Sequence, residues 1–176
     1  MKYNINILSK TECTLFSTKD LDEDYIIISI NDTNCNTSIF QNSHIIDVHK
    51  TTFDDLVKQL DGYTLFDSKK ATNIKNFIDL YKDSVFNIIV HCTAGISRSG
   101  AVGCAIARYL NEDDDYLLKT GLYIPNKLVY KIMCECLGLE YSEELFNKKL
   151  NLRYSNSKDK KTKEEFDELF CDVIID

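Results

Sequence analysis

Val85-Phe-Asn-Ile-Ile-Val-His-Cys92, Thr93-Ala-Gly-Ile-Ser-Arg98 and Ser99-Gly-Ala-Val-Gly-Cys-Ala-Ile-Ala-Arg-Tyr-Leu110 run on from one another and set the architecture of the chain. Val85 to Val90 is apolar, rich in β-branched residues and too short for a buried helix, so it reads as a buried strand. Small and apolar residues recur at helical spacing from Ser99 to Leu110. The stretch is therefore a strand–loop–helix unit with a cysteine at the carboxyl end of its strand.

Such a unit has a chemistry of its own. The first amides of a helix lack partners within it, and the helix dipole adds partial positive charge there. A loop of small residues turns successive N–H groups into one concavity that suits an oxyanion. Gly95 supplies the freedom for positive φ that this turn needs. The field favours the anionic form of a thiol at Cys92. The planar fork of Arg98 suits two oxygens of one phosphoryl group. A nucleophile and an anion cradle thus share one short loop, in which Thr93, Ala94, Gly95, Ile96, Ser97 and Arg98 are the candidate phosphate-binding residues.

With His91, Ala94, Gly95, Ser97 and Ser99 in register around Cys92-x5-Arg98, the segment resembles the signature of the cysteine-based protein phosphatases. Its wording is closest to the dual-specificity branch, and bacterial and phage proteins with a Phe-Asp-Asp stretch look nearest. The bland alternative, a buried cysteine that merely ends a core strand, does not explain those residues together. The resemblance covers roughly residues 25–138 and implies a three-layer α/β/α fold.

Length and composition agree with one soluble domain. The chain has 176 residues, 44% of them hydrophobic, enough for one sizeable core. No apolar run approaches transmembrane length, and the start of the sequence does not read as a signal peptide. Its seven cysteines are odd in number, lack framework spacing and include one that must stay reduced to act, so a cytoplasmic location is expected. A net charge of −7 argues against nucleic-acid binding. It does not preclude phosphate binding, because the loop supplies the attraction locally.

Outward from the central unit, strands are expected over 3–9, 25–30 and 44–48, and helices over 69–82 and from Lys127 to Leu137. Gly138 is placed to end the last of these as a C-cap. Thr51–Leu60 reads as a loop entering a short helical turn, and Tyr116–Tyr123 as helical. The alternation predicts an α/β fold whose central, mostly parallel sheet of about four to five strands is flanked by helices. Residues 1–140 are expected to form the phosphatase domain. Residues 141–176 form a charged extension with a helix near Phe166, Leu169 and Phe170, packed on the domain or binding a partner.

A thiolate attacking a phosphate ester needs an acid to protonate the leaving oxygen. The resemblance implies an aspartate upstream of the cysteine, after a strand, and Asp54 and Asp55 match that place. The pattern favours Asp55, although either could simply cap a helical turn at Leu56. It also implies that His91 is buried and shapes the loop, and that Ser99 donates to Cys92 and eases breakdown of the phosphoenzyme. Asn126, in Pro125-Asn126, would brace the phosphate loop. A core histidine and a helix-capping serine are the ordinary alternatives for His91 and Ser99.

The expected function is hydrolysis of phosphotyrosine through a cysteinyl-phosphate; pocket depth decides between phosphotyrosine and phosphoserine or phosphothreonine, and the sequence leaves that choice open. A phosphorylated protein is the expected partner, and phosphate, vanadate or sulfate the expected ion in the loop. No cofactor, metal, membrane or nucleic acid is called for, and oligomeric state is not legible. Thr93–Ser97 contains no lysine or second arginine, which weighs against phosphoinositides. Two rivals remain: a rhodanese-like sulfurtransferase, which would not need Asp55, and a phosphopeptide-binding pseudophosphatase. Oxidation of Cys92, with Cys13, Cys35 or Cys104 as resolving thiol, is a lesser possibility.

Overall fold

A computed structural model describes residues 2–111 and 113–154. The helix expected near Phe166 lies outside the described residues. Four strands, β1 (Asn4–Ser9), β2 (Tyr25–Asn31), β3 (Ile45–Thr52) and β4 (Asn87–Cys92), form one parallel sheet in the order β1-β4-β2-β3. Each central strand is a near-continuous apolar run, as a strand covered on both faces should be. β4 is central because Ile88, Ile89 and Val90 have no exposed face.

Alternation along the strands sorts the side chains into two layers. Ile5, Ile7, Ile26, Ile28, Ile30, Ile88 and Val90 belong to one large core. It also holds residues of α2 (Ser68–Tyr81), α3 (Arg98–Asn111) and α5 (Lys127–Leu137). Ile27 and Ile89, on the opposite face, pack with Cys13 and Phe16 of α1 (Lys10–Ser17). The result is a three-layer α/β/α arrangement.

α3 lies close on β1 because its packed face is made of small residues. A Cβ at Gly103 would come within 2.8 Å of the Ile7 side chain. α1 begins on a capping box in which the Ser9 hydroxyl accepts from the Glu12 amide and Glu12 accepts from the Ser9 amide. Gly138, at φ 68°, ends α5 in the left-handed region.

Three local expectations are revised. β3 extends to Thr52, and residues 53–67 contain no helix, because Asp54 and Thr64 bond to each other across the neck of that loop. The helix near Tyr116 is only α4 (Asp115–Leu118), followed by Gly121 at φ 76°. An additional helix, α6 (Glu143–Asn151), is capped by Ser142 and packs Phe146 into the core near Tyr130 and Tyr141. Lys149 pairs there with Asp115 at 2.7 Å and with the fully buried Asp114. No helix among the described residues is long and apolar enough to cross a membrane.

Candidate active site

The order of the sheet places the loop after β4 between the carboxyl ends of β1 and β2, the usual ligand-binding end of such a sheet. Its frame is made of backbone bonds. The Lys10 amide donates to the Thr93 carbonyl at 3.2 Å, Ile124 to Ile96 at 3.3 Å and Asn126 to Ser97 at 3.2 Å. A loop whose acceptors are tied to the frame presents its N–H groups to its concave side. Gly95 sits at φ 74°, and a Cβ there would meet the Ser9 nitrogen at 2.5 Å. Glycine is therefore required twice over, by conformation and by space.

Cys92 is 2% exposed and its Sγ lies 3.1 Å from the Ser99 Oγ, which is itself buried. Thr93 and Ala94 are exposed, Ile96 is 40% exposed and Ser97 is half-buried. His91 is fully buried, and neither ring nitrogen meets a hydrogen-bond partner. Burial pushes its imidazole down to about 4, partly offset by the Cys92 backbone beside it.

Arg98 is also buried, and its bonds define its orientation. Nη1 donates to the Phe53 carbonyl at 2.8 Å and meets Asp32 Oδ1 at 2.7 Å, while Nη2 donates to the Thr93 hydroxyl at 3.2 Å. Its Nε has no partner. Both Nη1 hydrogens are thus taken, and Nε–H with the second Nη2 hydrogen remains for an oxyanion.

The two candidate acids have different surroundings. Asp54 is buried and accepts from the Thr33 amide, the Thr33 hydroxyl and, at 2.8 Å, the Thr64 amide. Burial alone would raise its carboxyl, but these bonds and the nearby Arg98 charge hold it below the usual carboxylate range. Asp55 is exposed and caps no helix. Its Oδ1 accepts from the Ser97 hydroxyl at 2.9 Å and from Asn126 Nδ2 at 2.8 Å. Asn126 also caps α5 through the Val129 amide, so one side chain links that helix to the loop bearing Asp55.

The structure brings together Cys92, Ser99, Arg98, Ser97, Asp55 and Asn126, whereas Asp54 turns to Thr33 and Thr64 and His91 is buried in the sheet. Asp32 escapes the sequence reading. The available signal was a carboxylate one residue beyond β2, beside the end of β4.

No family model matches the chain, and no curated protein matches it. Among solved structures it is similar to human tyrosine phosphatase-like serine/threonine/tyrosine-interacting protein. That likeness has 21% identity over 64% of this chain and 75% of the other, with a TM-score of 0.47. It is also similar to Tk-PTP in the active form, at 14% identity over 76% of this chain and 90% of the other, with a TM-score of 0.49. At this level neither likeness bears on chemistry, which rests on the residues of the site itself.

Proposed function

We propose that the protein is a phosphomonoester hydrolase that acts on phosphotyrosine in proteins through a cysteinyl-phosphate. The observation that carries this reading is the Cys92–Ser99 contact on a loop whose arginine keeps an unpaired Nε. Cys92 Sγ, as thiolate, attacks phosphorus; the S–P bond forms as the P–O bond to the leaving group breaks. The loop amides and the free fork of Arg98 hold the non-bridging oxygens.

Asp55 protonates the leaving oxygen. As carboxylate it then takes a proton from the water that attacks phosphorus; the new O–P bond forms as the S–P bond breaks, and Ser99 donates to the departing thiolate. Of the three aspartates around the loop, Asp32 pairs with Arg98, and Asp54 is buried under donors that favour its ionised form. Neither suits an acid. Asp55 is exposed and held at the loop's edge, which is what proton delivery to a leaving group requires. A reducing, cytoplasmic compartment fits a mechanism that needs a free thiol.

The test is turnover of a phosphotyrosine peptide, with no metal added, by the parent and by Cys92→Ser, Asp55→Asn and Asp54→Asn. Cys92→Ser should be inactive. Asp55→Asn should lose activity by about 10²–10⁴-fold without loss of stability. Asp54→Asn should chiefly lower the unfolding midpoint. A parent that binds the peptide without hydrolysing it would replace this reading with that of a phosphopeptide-binding module.

A further inference from the structure

We infer that Asp32 is a positioning residue that sets the orientation of Arg98 and limits how tightly the loop holds an anion. The inference rests on the phosphate-loop reading above. The Asp32 carboxylate spans both ends of the loop. Its Oδ2 accepts from the Thr93 hydroxyl at 2.6 Å, and its Oδ1 meets Arg98 Nη1 at 2.7 Å. The Thr93 hydroxyl accepts in turn from Arg98 Nη2 at 3.2 Å, which closes a ring of three side chains. Thr93 opens the loop and Arg98 ends it, so this ring holds the loop's two ends against the end of β2.

The ring has two consequences that pull apart. Geometrically, it takes the Nη1 side of the guanidinium together with the Phe53 carbonyl and leaves the Nε side for the ligand. An arginine fixed in this way meets two equatorial oxygens of a transferring phosphoryl group without reorganising. Electrostatically, Asp32 sets a negative charge against the only cation in the loop. A bound dianion feels the arginine less than it would without that carboxylate. An enzyme that must release inorganic phosphate gains from this restraint. Asp32 is about one-third exposed, at 36%, while Arg98 is 5% exposed, so the carboxylate stands between the buried cation and solvent.

Asp32→Asn and Asp32→Glu separate these effects. Each is compared with the parent in two measurements: binding of inorganic phosphate by calorimetry, and kcat and KM on a phosphotyrosine peptide. Asp32→Asn keeps the shape and removes the charge. Phosphate should bind on the order of threefold to tenfold more tightly, while kcat falls on the order of tenfold because an amide, with one acceptor oxygen in place of two, no longer closes the ring that orients Arg98. Asp32→Glu keeps the charge and should retain the parent's phosphate affinity, with part of the loss in kcat.

Unchanged or weaker phosphate binding in a folded Asp32→Asn would overturn the inference and make Asp32 a structural residue only. Should Asp32→Asn fail to fold, Asp32→Glu decides. Phosphate affinity and kcat falling together in that variant overturns the inference. A parent that binds no phosphate refutes the phosphate-loop reading itself, and that result is visible before any variant is made. A parent that binds phosphate without turnover still answers the question through the binding measurement.

Discussion

Asp54 and Asp55 are neighbours with opposite surroundings, and His91 and Cys92 repeat that contrast on β4, across β2 from the strand that precedes the aspartates. Alternation along β4 turns His91 and Cys92 to opposite sides. Asp54 and Asp55 instead lie beyond β3 and are parted by their hydrogen bonds, Asp54 to Thr33 and Thr64 and Asp55 to Ser97 and Asn126. His91 is the frame residue with a measurable signature. The unfolded chain takes up a proton on this imidazole near 6.5, whereas the folded protein does so only at about 4. Acid therefore favours unfolding across that window. Stability should rise from about pH 4 to 6.5 and level off above, by on the order of 3 kcal/mol. Urea midpoints measured through this range should show the slope, and His91→Gln should reduce it, leaving the smaller contribution of His49, which burial also pushes down. A parent curve flat across the window would show that the imidazole is not held neutral by burial.

At the scale of elements, α3 does two jobs: it opens on Arg98 and it covers β1. The second depends on Gly103, where Ile7 fills the space a side chain would need. Gly103→Val should cost about 1–3 kcal/mol, and Ile7→Ala in the same chain should recover part of it. Additive losses in urea denaturation would show that the two do not compete for that space. β2, β4, α2 and α5 were legible because an unbroken apolar run or a helical stripe marks them. α1 was not, because its turns are short and polar, although Ser9-x-x-Glu12 carried a capping-box signal. α6 was hidden in a charged stretch where Phe146 is its one buried residue. The loop residues from Cys92 to Ser99 were legible because one local turn dictates them all. Asp32 was not, because its meaning comes from β2 lying beside β4, a relation between segments far apart in sequence.

For the whole molecule, α6 is fastened by Lys149. Burial opposes its charge, but bonds to Asp114 and Asp115 outweigh this and raise its ionisation above the usual lysine range. The fully buried Asp114 also accepts from the Tyr130 hydroxyl at 2.8 Å. Lys149→Met leaves that carboxylate without its cation, at a cost on the order of 3 kcal/mol. A drop of that size in unfolding free energy, largely reversed by Asp114→Asn in the same chain, is the expected result. A loss the second substitution does not reverse would assign the effect to packing.

The neck formed by Asp54 and Thr64, with amide-to-carbonyl and amide-to-carboxylate bonds of 2.7 and 2.8 Å, reaches past stability. It makes residues 55–63 a self-closed insert whose ends meet, while Asp55 takes its place from Ser97 and Asn126, outside the insert. The anchoring of Asp55, the proposed acid, and the closure of the insert therefore rest on different bonds. A change in the length of the segment beyond Leu56 should leave Asp55 on Ser97 and Asn126, where bonds from outside the insert hold it.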